Sequence, residues 1–421
     1  MNRTDHIYSV EDARYLARRT LPRVAFDYID GGAEDEVTMR TNNQAFREIF
    51  FRPRMAVRVA RPRLATTVLG TPLHLPILLA PCGLVRVMHP EGAAGVARAA
   101  MTSGTISILS SVAGSPPEEL SGIAGPRWFQ IYAPDRDAAG QLMDRAEASG
   151  FDGLMVTVDT PALGKRERDF HNGVTPPLRL DARSAVRLGY QVLAKPQWSL
   201  SMASAGVKFK RRSTRPSVDT LGGEGGVRSI AGEYGTGGAS GTGGASGTGR
   251  SHRLASFPSS LSPAGKVVME ASPFSWDDIA WMKSRWTGPL VVKGVLSATD
   301  AVHAVEAGAD CIVVSNHGGR QLEGAPATMR VLPEVVAAVG GRVDVLVDSG
   351  VRRGADVIKA IALGARAVLI GRPYLYGLAV GGQYGVERIL SIFREEMERT
   401  LTLLGCPGVE ELDSTWLQPG G

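Results

Sequence analysis

The 421-residue chain contains only three cysteines, Cys82, Cys311 and Cys406, and they are far apart in sequence. This number and spacing exclude a disulfide framework and a cysteine metal cluster, and they favour a reducing compartment. No apolar run reaches the length of about 18 residues that a membrane span needs, and residues 1–20 lack the apolar core of a signal peptide. We therefore predict a cytoplasmic protein without a membrane-spanning helix.

An excess of charge of one sign occurs in only one segment of the sequence. The formal net charge is +5, and residues 201–265 contain eight Lys or Arg against three Asp or Glu, a surplus that equals the charge of the whole chain. No aromatic residues interleave a basic patch in the way that nucleic-acid binding requires. We therefore expect no nucleic-acid partner.

The same segment contains a repeat of small residues, GTGGASGTGGASGTG, at residues 235–249. Such a tract buries too little apolar surface to offset its chain entropy, so we expect residues 201–265 to form a flexible insert within one domain, 1–421. The basic cluster at 208–212 could contact anionic lipid on the inner face of the membrane, at about 1 kcal/mol per cation. A solvated insert is the simpler interpretation, because no amphipathic anchor is evident beside the cluster.

Short apolar runs alternate with amphipathic segments, a pattern typical of βα units around a parallel sheet. Eight units predict an α/β fold of the TIM (β/α)8 barrel type, with helices at 10–19 and 22–31 before it and a closing helix at 385–404. The connection after the fourth strand is long, and we predict one helix in it, at 276–285. The predicted strands are 77–81, 105–109, 128–132, 154–158, 290–293, 311–315, 343–347 and 367–370.

Polar or otherwise unusual residues end or directly follow each predicted strand, which is where TIM barrels place their active sites. Glycines and arginines follow strands seven and eight, the usual phosphate corner of this fold. No GxGxxG strand-turn-helix is present, so a dinucleotide cofactor is not indicated. The residues at the strand ends are Pro81, Ser110, Tyr132, Asp159, Lys293, His317, Asp348 and Arg372.

Residues 313–322, VVSNHGGRQL, carry the most informative motif. A histidine at a strand end can serve as a neutral base, and an arginine can bind a carboxylate. The run resembles the active-site signature of the FMN-dependent L-2-hydroxy acid dehydrogenases and oxidases, which include glycolate oxidase, lactate oxidase and mandelate dehydrogenase, with Glu323 where the family usually has Asp. Other segments similar to the family are FDY at 26–28, GAED at 32–35, FQIY at 129–132, TVDTP at 157–161, LGKRE at 163–167, VKGV at 292–295, DSGVRRG at 348–354 and IGRP at 370–373.

The resemblance implies FMN as cofactor and oxidation of an L-2-hydroxy acid to the 2-keto acid. It makes His317 the base and Asp159 the carboxylate that orients it, and no metal is expected. Four residues would bind the substrate: Tyr28, Tyr132, Arg166 and Arg320. The residues that would hold FMN are Pro81, Cys82, Gly83, Ser110, Gln130, Thr157, Lys293, Ser315, Asp348, Gly350, Arg352, Gly371 and Arg372.

Other interpretations of these residues stay open. The two tyrosines could fill the core, Asp348 and Arg352 could form an ordinary ion pair at the rim, and Lys293 could be a Schiff-base lysine. A flavin-dependent isomerase or a catalytically silent flavin-binding barrel would fit the same fold.

Departures from the family bear on substrate and acceptor. Gly83 aligns with a glycine in mandelate dehydrogenase and with alanine in several oxidases, which favours a dehydrogenase. Val112 stands where glycolate oxidase has a tryptophan, so we expect a substrate bulkier than glycolate, mandelate-like or longer-chained. The resemblance further implies that electrons pass to oxygen or to a quinone or cytochrome acceptor, and that the protein is a homo-oligomer, expected to be a tetramer.

Overall fold

The computed structural model describes residues 3–173, 182–205 and 273–419. In this part, eight parallel strands form a closed barrel in which neighbours in sequence are neighbours in space, with β8 pairing β1. This confirms the predicted TIM barrel. The strands are β1 Ile77–Leu79, β2 Ser107–Ser110, β3 Arg127–Ile131, β4 Gly153–Thr157, β5 Leu290–Val295, β6 Cys311–Val314, β7 Asp344–Val347 and β8 Ala367–Ile370.

The strands are apolar on both faces because each is buried on both sides, as in other parallel sheets. In β6, Cys311 and Val313 belong to the core inside the barrel, whereas Ile312 and Val314 pack in the layer between the strands and the helices. A hairpin of two short strands, Thr66–Val68 and Thr71–Leu73, adds Val68 and Leu73 to the inner core. The barrel is therefore a packed core.

The alternation along each strand explains where the polar residues fall. Side chains two residues apart point the same way, so the residue two positions after the last inward apolar one also faces the barrel axis, now at the carboxyl end. In five strands this residue is polar and almost fully buried. These residues are Ser110, Gln130, Thr157, Lys293 and Ser315.

Helices surround the barrel and precede it as the predicted N-terminal extension. The last helix begins at Arg372, before the predicted closing helix at 385–404. Its backbone is non-helical at Gly381 and Gly382, so the predicted segment is the part after this interruption. Pro373, which has no N–H to leave unpaired, stands in its first turn. The helices are α1 Val10–Thr20, α2 Arg23–Asp30, α3 Val37–Arg47, α4 Val85–Met88, α5 Gly92–Ser103, α6 Arg136–Ala148, α7 Glu167–His171, α8 Ala182–Leu193, α9 Pro196–Ser204, α10 Trp276–Arg285, α11 Ala298–Glu306, α12 Thr328–Val339, α13 Gly354–Ala362 and α14 Arg372–Leu404.

The connection after β4 has more regular structure than the sequence suggested. The predicted helix α10 is present with the same bounds, and α7, α8 and α9 occur in addition. Residues 201–204, which we had assigned to the flexible insert, form the end of α9, where buried Trp198 and Met202 attach the helix to the core. The rest of the insert, including the tract at 235–249 and the basic cluster at 208–212, lies outside the described residues. Across the described ranges, no helix has the length and apolar character that crossing a membrane would require.

Candidate active site

A cleft of about 900 Å³, counted with the part open to solvent, lies at the carboxyl ends of the barrel strands. It brings together most of the predicted site residues. The predicted residues that line it are Tyr28, Pro81, Cys82, Gly83, Ser110, Tyr132, Arg166, Lys293, His317, Arg320, Asp348, Gly350, Arg352, Gly371 and Arg372. The remaining four each adjoin a lining residue: Asp159 bonds to His317, Ser315 to Lys293 and Gln130 to Ser110, and Thr157 pairs with Lys293 across the sheet.

A histidine and a carboxylate from different strands meet at this rim. His317 Nδ1 lies 2.9 Å from Asp159 Oδ1, and Nε2 lies 3.3 Å from the Tyr132 hydroxyl. Burial alone would raise the pKa of Asp159, but the imidazole of His317 and the ammonium of Lys293 outweigh it and hold the pKa below its usual value. The ionised carboxylate of Asp159 accepts a hydrogen bond from Nδ1–H, and this tautomer turns the Nε2 lone pair toward the cleft and the Tyr132 hydroxyl.

Close approach of Asp159 depends on a glycine in β5. Gly294 has φ +111°, a conformation that other residues rarely adopt, and a Cβ atom there would lie 2.8 Å from Asp159 Cβ. The pairing register between β5 and β6 also shifts at this point. The irregularity therefore makes room for the carboxylate behind the imidazole.

Two guanidinium groups flank one phenol at the other side of the cleft. The Cζ atoms of Arg320 and Arg166 lie 5.1 Å and 5.8 Å from the ring centre of Tyr28. Arg166 forms a buried ion pair with Asp169 at 3.0 Å, and burial together with the Arg166 charge lowers the pKa of Arg320 to about 10. An anionic group between the arginines would reverse this penalty, so the pair suits a carboxylate.

The phenols act as neutral hydrogen-bond donors or acceptors near neutral pH. Burial raises the pKa of Tyr28, and burial together with the Asp159 carboxylate raises that of Tyr132 well above its ordinary value. Both rings line the cleft. The structure therefore places both partly buried rings in the wall of the cleft, and neither is a fully buried core residue.

Lys293 is held as a charged ammonium. Its Nζ lies 3.0 Å from Asp348 Oδ2 and donates to Ser315 Oγ at 2.8 Å. Burial lowers its pKa, but the carboxylates of Asp348 and Asp159 outweigh burial, so the pKa is raised. A Schiff-base lysine needs a free amine, which this environment disfavours. Asp348 pairs with Lys293, so the alternative rim pair with Arg352 is not what the structure forms.

The far end of the cleft has the donors that a phosphate needs. Gly350 has φ +96°, and a Cβ atom there would lie 2.7 Å from the carbonyl oxygen of Asn42, so only glycine fits. Gly371 precedes the first turn of α14, whose backbone N–H groups have no helical partners. Arg352 lines the same end of the cleft.

Arg372, which lines the cleft, also bonds to the backbone of other segments. Three of its side-chain N–H groups donate to the carbonyls of Ile29, Gly31 and Gly318 at 2.7 to 3.0 Å, and burial lowers its pKa. Its side chain thus joins the N-terminal segment to the loop after β6. Arg352 and the backbone N–H groups at the start of α14 are further donors at this end of the cleft.

Polar groups at the near end suit a flat heterocycle. Ser110 Oγ donates to Gln130 Oε1 at 2.5 Å, and Lys293 faces the same inward layer. Cys82 lines the cleft, and burial raises the pKa of its thiol, so it stays neutral. Amide, hydroxyl and ammonium groups around the barrel axis, with cationic and N–H donors at the phosphate corner, fit FMN.

Residues that matter for the site were also missed in the sequence. Ser349 accepts from Gly318 N and donates to Asp348 Oδ1, so it links the loops after β6 and β7. Asp169 orients Arg166, and its spacing of three residues on a short helix could have indicated the pair. Asp30, a buried carboxylate at the end of α2 that accepts from Arg14, Arg168 and Tyr376, was also missed, because no local sequence pattern indicates these contacts.

Known proteins resemble the chain over nearly all its length. The family model for FMN-dependent dehydrogenases matches residues 17–419. A peroxisomal (S)-2-hydroxyacid oxidase of Arabidopsis thaliana is 39% identical over 411 residues, which cover 97% of this chain and 95% of the relative. An L-lactate oxidase of Nostoc is 39% identical over 409 residues, covering 96% and 95%. The crystal structure of the monotopic membrane protein (S)-mandelate dehydrogenase is 32% identical with a TM-score of 0.80, covering 98% of this chain and 99% of that one.

The barrel and its cleft define a flavin-dependent oxidoreductase of the TIM-barrel class. More particularly, the chain belongs to the FMN-dependent dehydrogenase family, whose members oxidise 2-hydroxy acids. The resemblance seen in the sequence and FMN as the cofactor are thereby confirmed.

A buried carboxylate beneath the site yields a pH prediction. Asp30 accepts from Arg14, Arg168 and Tyr376 at 2.6 to 3.0 Å. Burial favours protonation, but these hydrogen bonds and charges hold the pKa of Asp30 well below its usual value. The unfolded chain therefore takes up the proton first as the pH falls, so this carboxylate stabilises the fold above about pH 4 and progressively less below it.

We expect Asp30→Asn to lower the free energy of unfolding by about 2–3 kcal/mol at pH 7, a value reduced for the partly exposed arginines. The difference in the free energy of unfolding between the variant and the wild type should become smaller as the pH falls from about 4.5 to about 3. Urea unfolding across this range measures it. Asp144→Asn, which removes an exposed ion pair with Arg285, is the matched control and should change stability by less than about 0.5 kcal/mol. A difference that stays constant with pH would contradict the assignment.

Proposed function

We propose that this protein oxidises an L-2-hydroxy acid, the (S) form in most cases, to the 2-keto acid. His317 is the base, Asp159 orients it, and Arg166 and Arg320 bind the substrate carboxylate. The observation that carries the proposal is the 2.9 Å contact of His317 with Asp159 in a cleft that also contains both arginines. A base and two carboxylate-binding cations in one cleft are what this substrate class requires.

The charge and position of each residue determine its proposed role in the reaction. Arg166 and Arg320 fix the carboxylate, and the hydroxyl groups of Tyr28 and Tyr132 hydrogen-bond the substrate oxygens. His317 Nε2 accepts one proton, taken either from the hydroxyl as hydride leaves Cα or from Cα itself. The imidazolium formed is stabilised by the ionised carboxylate of Asp159. Bound FMN supplies the two-electron acceptor that side chains lack.

Lys293 and the remaining polar residues complete the proposed cofactor site. The ammonium of Lys293 favours negative charge on the reduced ring, and Ser110, Gln130 and Thr157 offer polar contacts to it. Asp348 is proposed to contact the ribityl chain, and Pro81, Cys82, Gly83 and Ser315 would adjoin the ring of bound FMN. Gly350, Arg352, Gly371 and the backbone at Arg372 are proposed to bind the phosphate.

An anaerobic stopped-flow experiment tests the proposal. We expect L-2-hydroxy acids to bleach the absorbance of the bound flavin and to yield the 2-keto acid, while the D enantiomers leave it yellow. His317→Gln should slow bleaching by about 10²–10⁴-fold at unchanged FMN content, the usual contribution of a general base. Reoxidation by air, quinone and cytochrome in the same instrument identifies the acceptor.

Different results would favour the alternative functions. Flavin that stays oxidised with every 2-hydroxy acid would indicate a silent flavin-binding barrel. Conversion of the substrate to an isomer without net reduction would indicate an isomerase. Bleaching at full rate in the His317 variant would remove that residue from the role of base.

We further propose a substrate bulkier than glycolate, mandelate-like or longer. Val112 lines the cleft next to Gly83, where a Cβ atom would lie 3.4 Å from Val112 Cγ2 and 2.8 Å from the Tyr28 hydroxyl. Valine at position 112 leaves more space in this wall of the cleft for a large substituent on Cα than a tryptophan would. Glycine at position 83, as in mandelate dehydrogenase, supports a dehydrogenase that passes electrons to a quinone or cytochrome, with oxygen as the alternative acceptor.

Val112→Trp should therefore discriminate between substrates by size. We expect kcat/KM for L-mandelate to fall at least tenfold, about the 1–3 kcal/mol that a steric change in a pocket costs, and kcat/KM for glycolate to stay within about threefold. Val112→Ala, which keeps the space open, is the control and should retain turnover of mandelate. An equal loss on both acids would contradict the size argument.

We also propose weak peripheral attachment of this cytoplasmic protein to the inner face of the membrane. On α8, Val186, Tyr190 and Leu193 share one helix face and are 75–79% exposed. Lys195 follows α8 by two residues, and its Nζ donates to the carbonyls of Arg18 and Arg19, so three cationic residues lie at the C-terminal border of this helix. The sequence had shown no such amphipathic anchor near the basic cluster at 208–212. An apolar face with a basic border suits an anionic bilayer, and one relative is a monotopic membrane protein.

Vesicle sedimentation tests the attachment. We expect the protein to sediment with vesicles of mixed anionic and neutral lipid and much less with neutral vesicles. Replacing Val186, Tyr190 and Leu193 by serine should abolish sedimentation without affecting turnover. Leu403→Ser, which removes an apolar side chain 69% exposed elsewhere, is the control and should bind like wild type. If all variants sediment equally with the anionic vesicles, this part of the proposal is wrong.

Domain organisation and assembly are proposed on the sequence and the family. We propose one catalytic domain spanning 1–421, interrupted by the predicted insert at 201–265, of which residues 201–204 belong to α9, and a homotetramer.

A further inference from the structure

The loop that bears His317 is attached to helix α3 by a pair of buried amides. Asn42 Nδ2 donates to Asn316 Oδ1, and Asn316 Nδ2 donates to Asn42 Oδ1, each at 2.8 Å. Asn42 is 1% exposed and Asn316 is 3% exposed. Asn316 directly precedes the proposed base, whereas Asn42 is 274 residues away in sequence.

The loop needs such an attachment because its backbone is strained. His317 has φ +59°, in the left-handed region, and Gly318 and Gly319 follow with φ of +68° and +71°. A non-glycine residue there costs about 1–3 kcal/mol and persists only where its surroundings hold it. The conformation of His317 sets the direction in which its imidazole leaves the chain.

The amide of Asn316 spans this turn. Its Nδ2 also donates to the carbonyl of Pro326 at 2.9 Å, and its Oδ1 also accepts from Gly319 N at 3.2 Å. Asn42 makes both remaining bonds, so it fixes which way the Asn316 amide faces. Thr328 N donates to Asn42 Oδ1 at 3.4 Å and ties the pair to α12.

Helix α3 is itself docked against the same loop. Glu323 accepts from the backbone N–H groups of Val37 and Thr38 in the first turn of α3, and Gly324 N donates to Thr38 Oγ1 at 2.8 Å. Asn42 therefore sits on a rigid support, one turn further along the helix. Its role does not follow from any pattern in the sequence.

We propose that Asn42 is a positioning residue for the reaction: through Asn316 it holds His317 in its left-handed conformation and so aims Nε2 into the cleft. The inference rests on the proposed function, in which His317 is the base. Loss of Asn42 leaves two hydrogen-bonding groups of a buried amide unpaired, and Asn316 can then turn. The imidazole would move while the carboxylate-binding arginines stay in place.

Three variants test the inference in the FMN-loaded enzyme. Asn42→Ala removes the pair, and Asn42→Asp keeps the shape but replaces the donor to Asn316 Oδ1 by an oxygen. Asn43→Ala is the control, because among the described residues the neighbouring Asn43 bonds through its side chain only within α3, to Met39 O. The readouts are FMN content, the anaerobic rate of flavin bleaching at saturating L-2-hydroxy acid, and the Kd of the matching 2-keto acid.

We expect both Asn42 variants to slow bleaching at least about tenfold, because small displacements of a reacting group cost this much or more. FMN content and the Kd of the 2-keto acid should stay within about twofold, and Asn43→Ala should match wild type throughout. Unchanged bleaching would overturn the inference. So would a slower rate accompanied by equal losses of FMN and 2-keto acid affinity, since that pattern marks a structural defect.

His317→Gln, measured alongside, separates this inference from the proposed function. If it bleaches as fast as wild type, the role of His317 as base fails. If it is slow and the Asn42 variants are fast, only the positioning role of Asn42 fails.

Discussion

The hydrogen bond between Asp159 and His317 is the contact on which the site depends. It joins the loops after β4 and β6, which are neither adjacent in sequence nor paired directly in the barrel, since β5 lies between them. The bond forms because Gly294 in β5 lets Asp159 come close. One glycine in the intervening strand thus decides whether carboxylate and imidazole meet.

A second constraint explains why the N-terminal extension belongs to the site. Arg320 Nη1 donates to the carbonyls of Tyr28 and Gly31, and Arg372 donates to those of Ile29 and Gly31. The carbonyls at the end of α2 lack helical partners, so they accept readily from the loop arginines. The arginines in turn are oriented without a carboxylate of their own. Tyr28 is brought to the cleft by the same bonds that fix the arginines.

The sequence predicted the parts of this arrangement that follow from local pattern. Apolar runs of strand length located all eight barrel strands, and strand ends located His317, Asp159 and Lys293, because barrel geometry gathers those ends at one rim. The regular βα spacing did not predict α8 and α9, because they lie in a long connection that departs from this spacing. Contacts between distant residues left no local signal either. Asn42 and Asp30 are in this class, as is the use of the Arg372 side chain on backbone carbonyls.

The charge balance of the cleft accounts for the kind of molecule that binds there. Arg166 and Lys293 have carboxylate partners in Asp169 and Asp348, whereas Arg320 and Arg372 bond to neutral carbonyls and have lowered pKa values. The fold therefore holds cationic charge that its own carboxylates do not offset, at some cost in stability. A phosphate and a substrate carboxylate would each relieve part of that cost. In the proposed function, anion binding at both ends of the cleft would thus stabilise the folded state, since a ligand that binds only the native state shifts the folding equilibrium toward it.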